Sequence, residues 1–255
     1  MLFDADVEDK EVVNYLIGAH AEPLAGQQLF VYGLHRHNGE LIDLDRTHLG
    51  LSLEGQIDDF EYWLDAGWSF GREDDVDVSG TGVDFLAMYV FKDIPLDPSL
   101  FAGIAYGSGD SEPFDGSDGN FRQSGLNDNQ TRLNGVTSFR YLGELARFDL
   151  SNLVVATAGI GFRPFDRTSI DFVYHRYWQD EKAAFLGPSR LRLTPTGLSS
   201  DIGQGFDVVF GFEYFWPLEV KILAGYFHPG EAFMQPAGGA ADDAWFILAS
   251  VKYSF

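Results

Sequence analysis

Cysteine is absent from the 255-residue chain, which excludes a disulfide framework, a thiol nucleophile and a cysteine metal site. Basic residues are scarce: 17 Lys plus Arg stand against 39 Asp plus Glu, a formal net charge of -22. A phosphate backbone has to be met by cations, so nucleic acid is excluded as a partner. Long apolar runs are missing as well, and nothing approaches the roughly 18 consecutive apolar residues of a membrane helix. The opening Met1-Leu2-Phe3-Asp4-Ala5-Asp6 has neither the basic segment nor the apolar run of a secretory signal.

What the sequence has instead is alternation. The closing stretch sets Trp245, Ile247, Ala249, Val251, Tyr253 and Phe255 on one parity and Phe246, Leu248, Ser250, Lys252 and Ser254 on the other. A strand points successive side chains to opposite faces, so one face meets an apolar medium and the other a mixed one. A tilted strand needs about ten residues to cross a bilayer, and aromatic residues suit the two interfaces. The pattern recurs upstream: Leu49, Leu51 and Leu53 against Arg46, His48, Ser52 and Glu54, then Tyr62, Leu64, Ala66, Trp68 and Phe70 against Glu61, Trp63, Asp65, Gly67 and Ser69. Val154, Ala156, Ala158, Ile160 and Phe162 share a face, and Ile170, Phe172 and Tyr174 oppose Asp171, Val173 and His175. Without a membrane helix, only a closed barrel satisfies every backbone group in lipid, so a mean hydropathy of -0.10 is no objection to a membrane protein.

The connections between these segments alternate. Short ones are expected near Pro23, Asp58, Pro95, Pro164 and Pro217, and long ones near Gly39, Asp75, Gly119, Thr194 and Gly239. Short turns on one side and long loops on the other mark an outer-membrane barrel with its C-terminus on the periplasmic side. The expected fold is therefore all-β: an antiparallel up-and-down transmembrane β-barrel with about eleven strands present. Single-chain bacterial barrels have an even number, and a first strand that begins outside requires others upstream. Residues 1–255 thus read as one outer-membrane barrel domain, the C-terminal part of a larger barrel whose first strands and signal peptide are missing. The region from Ser108 to about Asn134 reads as a long loop, and Val136 to Leu150 as a short helix or an extra hairpin.

The parity that faces inward carries the candidate path. It holds Arg46, His48, His175, Lys221 and Lys252 among bases, and Glu54, Glu61, Asp65, Asp171, Asp207, Glu213 and Glu219 among acids. Arg46, His48 and Lys221 can meet a carboxylate moving through the pore, or can stand in an ion-pair ladder with Glu54, Glu213 and Glu219. No cofactor, metal or catalytic group is expected. His35 and His37 share a face without a third zinc ligand nearby, and Asp110, Asp115, Asp118 and Asn120 miss the EF-hand spacing. His175 is the one mid-strand candidate for a hydrolase, but no serine motif surrounds it and Ser169 lies most of a strand away.

Several segments in the second half resemble the C-terminal part of the alginate export porin family of Gram-negative outer membranes. They are Tyr106–Asp110, Glu144-Leu145, Leu150-Ser151-Asn152-Leu153, Gly161-Phe162-Arg163-Pro164, Val173–Tyr177 and Gly225–Phe233, spread over Arg46 to Phe255. The resemblance implies a barrel that lets an anionic polysaccharide cross the outer membrane passively, through a lumen lined with basic side chains. The inward list departs from this, because its acids outnumber its bases. The function expected is a monomeric outer-membrane channel, in contact with lipid, for passive export or diffusion of an alginate-like polysaccharide or of small hydrophilic solutes. The rivals are a non-transporting adhesive or enzymatic barrel and a soluble carbohydrate-binding β-sandwich.

Overall fold

The computed structural model describes residues 12–38, 43–126, 129–215, 218–234, 239 and 241–253. Eleven long strands dominate it: β1 (Val12–Leu24), β2 (Gln27–Asn38), β3 (Leu44–Ile57), β4 (Phe60–Glu73), β5 (Val76–Val90), β6 (Ser99–Gly107), β7 (Leu153–Phe162), β8 (Thr168–Trp178), β9 (Asp201–Phe215), β10 (Leu218–Pro229) and β11 (Ala244–Tyr253). Each pairs antiparallel with its neighbours in chain order, so the whole is one up-and-down sheet. The first and last strands are free edges and run in the same direction, and among the described residues no ladder joins them.

Register fixes which residues share a face. The pairings Arg36↔Arg46, Ser52↔Asp65, Asp65↔Asp84, His175↔Gly205 and Asp207↔Gly225 put the polar parity of successive strands on one side. The other side is apolar and uncovered: Leu49 is 46% exposed, Leu100 50%, Ile104 53% and Trp245 74%, with Val31, Phe85, Tyr174, Phe206 and Ile222 between them. An apolar surface that continuous is foreign to a soluble monomer. A β-sandwich would cover it with a second sheet, yet among the described residues the one other sheet is the two-residue ladder of Gln130–Thr131 with Phe139–Arg140.

The core lies on the polar side. The segment between β6 and β7 leaves the long-loop end, descends inside the curve of the sheet and returns. Phe121 lies against Gly80 and Gly82, Leu133 and Asn134 reach Arg163 in the short turn after β7, and Phe148 meets the Tyr177 ring edge-to-face at 4.9 Å. Phe139, Tyr141, Leu142, Phe148 and Leu150 are buried with Leu153, Val155, Tyr177 and Phe227 of the strands. Tyr141 alone touches Asp84 of β5, Thr157 of β7 and the ring of Trp63 in β4, which requires the sheet to wrap around this insert.

Two expectations change. The acidic stretch at Asp75 is no long loop: β4 runs to Glu73, β5 starts at Val76, and the turn rests on Asp74 at φ 51. These extended ends carry polar residues on both faces, so the ladder continues past the apolar band that the alternation reports. Residues 111–117 are exposed at the long-loop end as expected of a loop, but from Phe121 on the segment is interior filling; among its described residues there is no helix, and the extra hairpin is the short pairing of Gln130–Thr131 with Phe139–Arg140. The short turn at Trp216-Pro217, most of the loop near Gly39 and much of that near Gly239 lie outside the described residues, as does Phe255.

Candidate transport path

On the inward face of β2 and β3, Arg36 and Arg46 stand directly opposite each other at the long-loop end. Arg122 of the insert joins them. Arg46 pairs with Glu73, Arg122 Nε lies 3.5 Å from the same carboxylate, and Arg122 also pairs with Asp118 at 2.5 Å. Burial of Asp118 opposes its charged form, but the Asn120 amide and the Arg122 guanidinium outweigh it and hold the carboxyl below the ordinary range. One turn of the pleat below Arg46, His48 is 2% exposed, and its Nε2 has no hydrogen-bond partner. Arg46 Nε is buried and unbonded too. Three arginines, with the unbonded Nε of Arg46 and the ring nitrogen of His48 beside them, make a site for an anion with several oxygens, such as a carboxylate.

A cavity of about 270 Å³ opens beneath this cluster, between β2–β5 and the insert. His48 and Asp65 line it together with Tyr32, Phe121, Gln123 and Asn129. Its waist is built on glycine: a Cβ on Gly50 would stand 2.2 Å from the Tyr32 ring, and one on Gly82 2.4 Å from the Phe121 ring. The missing side chains let both rings lie against the wall. A second cavity, about 490 Å³, sits toward the short-turn end with Gln28, Glu54, Gln56, Glu61 and Trp63 around it.

The other half of the sheet is dry. Asp171 is fully buried and pairs with Arg163 at 3.0 Å. His175 is 0% exposed, with Nδ1 3.0 Å from Thr157 Oγ1 and Nε2 3.2 Å from Asp207 Oδ2, an ion-pair distance off the line of a hydrogen bond. The Glu144 amide donates to the same Asp207 oxygen at 2.9 Å. Lys221 donates to the Ser138 carbonyl and Glu219 accepts from Thr137 at 3.0 Å. Glu213 faces inward near the short-turn end, and Lys252 lies opposite Glu219 on the exposed edge strand. These polar groups hold the insert in place.

The sequence profile of the alginate export family matches residues 4–247. The chain belongs to the alginate export family. Two curated relatives bear the name alginate production protein AlgE. The one from Pseudomonas aeruginosa is 27% identical over 206 residues, 69% of this chain and 41% of its own length. The one from Azotobacter vinelandii is 25% identical over 182 residues, 62% of this chain and 36% of its own. The chain thus spans less than half the length of these relatives.

Within the alginate export fold, the structure brings His48 and Asp65 to one cavity with Arg46 above it, leaves Glu54 in the next, and places Asp171, His175, Asp207 and Lys221 against the insert. Sequence reasoning missed Arg36, Arg122 and Arg163. Arg36 carried a signal, since it continues the parity of Phe30, Tyr32 and Leu34 and faces Arg46 across a hairpin. Arg122 and Arg163 lie in connections, where no period says which way a side chain points.

Proposed function

We propose that this protein forms part of an outer-membrane channel through which an anionic polysaccharide of the alginate type leaves the cell passively. Residues 1–255 supply a single domain of its wall, and the channel works as a monomer. The observation that carries this reading is the convergence of Arg36, Arg46 and Arg122 on the polar face of a sheet whose opposite face is apolar and uncovered. In this reading lipid covers the apolar face, and the free edges of β1 and β11 are joined by further strands. An odd number of these keeps every pairing antiparallel, because the two edges run the same way. The family names of the relatives support alginate as the cargo.

The test is efflux from liposomes holding the purified full-length protein, with fluorescent oligouronate and neutral dextran of equal size trapped inside. Oligouronate is expected to leave faster than dextran. Arg36→Gln with Arg46→Gln should slow it about three- to tenfold, the worth of a partly exposed charge-assisted contact. Equal efflux of both sugars, unchanged by the substitutions, would refute the proposed selectivity.

A further inference from the structure

The inward charges of β2–β5 are sorted along the strands. Arg36 and Arg46 lie on the long-loop side of the row Tyr32–Gly50–Gly67–Gly82, and Glu54, Glu61, Asp65 and Asp84 all lie on the other side. Glu73 is the exception above that row, and it is taken up by Arg46 and Arg122. Below the row, Asp84 accepts from Tyr141, while Glu54, Glu61 and Asp65 form no ion pair among the described residues. The β8–β10 half adds little to the imbalance, because Asp171 and Asp207 are matched there by Arg163 and His175. Arg132, in the lower tip of the insert, sets one cation against these acids.

We propose that the path is a bipolar charge filter, anion-collecting at its long-loop half and cation-collecting at its short-turn half, and that it passes ionic current more readily in one direction. This rests on the channel reading above. From Arg46 to Glu54 along β3 is roughly 26 Å at ~3.3 Å per residue. The Debye length is about 10 Å at 0.1 M salt, so each half keeps its own counterion population. When the short-turn side is positive, cations move inward from the acidic half while anions move inward from the basic half. Both crowd the glycine row and conductance rises. With the opposite polarity the row is depleted of both and conductance falls.

The experiment is single-channel recording from the full-length protein in planar bilayers with symmetric KCl. Ser189→Cys, in the loop after β8 and kept as the single cysteine of the recorded protein, fixes the orientation through one-sided addition of an impermeant thiol reagent. At ~0.1 M KCl the current with the short-turn side positive should exceed its reverse by about twofold, and at ~1 M, where the Debye length is about 3 Å, the ratio should approach one. Glu54→Gln with Glu61→Gln should remove the asymmetry at ~0.1 M. A linear current–voltage curve at ~0.1 M overturns the inference and leaves the channel reading standing. Asymmetry of the opposite sign, or asymmetry that survives both ~1 M salt and the substitutions, overturns it as well. The salt series needs no variant, so a double variant that fails to fold does not shelter the idea. Absence of any conductance refutes the channel reading and the inference together.

Discussion

Leu51 and Ser52 are neighbours whose replacement by Arg should have very different consequences. Leu51 sits at the middle of β3, outward and 37% exposed, between Val31 and Ala66 of the flanking strands. An Arg on the lipid face costs about 2–4 kcal/mol near the bilayer midplane. At about 1.4 kcal/mol per factor of ten, this shifts the folding equilibrium by about 30- to 800-fold. Ser52 points inward, directly opposite Asp65, into the first cavity. An Arg there gains a half-exposed ion pair worth at most about 1 kcal/mol, so the shift stays within about fivefold. Urea titration of protein folded into vesicles, with the folded fraction read from heat-dependent gel mobility, measures both. If Ser52→Arg is as damaging as Leu51→Arg, then the polar parity does not face a lumen.

Arg163 ties the lower tip of the insert to the wall through the Leu133 carbonyl at 2.7 Å and the Asp171 carboxylate at 3.0 Å. Arg163→Ala leaves Asp171 buried without a counter-ion, which should cost about 3–5 kcal/mol and make residues 129–138 cleavable in limited proteolysis. The folded carboxyl of Asp118 titrates below its unfolded value, so its stabilising contribution is complete above about pH 4 and is lost as pH falls through the lower folded value. Protection factors of the Asn120 and Arg122 amides, taken against the intrinsic exchange rate at each pH, should accordingly fall under acid, whereas protection that is flat with pH would show that the Asp118–Arg122 pair does not hold the insert.

How much of this was legible in the sequence follows from the range of the forces involved. Alternation is a two-residue signal imposed by the medium on each side, so the long strands, their faces and the inward placement of Arg46, His48 and Asp65 can be read from one strand at a time. The insert cannot. Phe121, Leu133, Phe139, Tyr141 and Phe148 are scattered among Gly, Asp and Asn without a period, and their partners lie on strands far away in the chain. Nothing local separates a loop that leaves the barrel from one that folds into it. The Asp75 turn misleads for the opposite reason: its charges resemble a solvated loop, yet backbone pairing continues because Asp74 accepts a left-handed φ of 51.

In the channel proposed above, the unequal filling of the interior decides where a polymer can pass. Around His175 the insert is packed as tightly as a soluble core, with Phe139, Val155, Val173 and His175 at 0% exposure and Tyr177 and Phe227 at 1%. Opening that half would separate a buried aromatic cluster, take the Glu144 amide from Asp207, and take from Arg163 the Leu133 and Asn134 carbonyls that hold it against Asp171. Each buried hydrogen bond to a charged group is worth about 1.5–3 kcal/mol, too much to repeat for every sugar unit that moves. The β2–β5 half needs no such rupture, since its two cavities already stand open, one beneath the arginines and one toward the short-turn end. Passage along that half, with the insert as a fixed wall on the other side, follows from the difference.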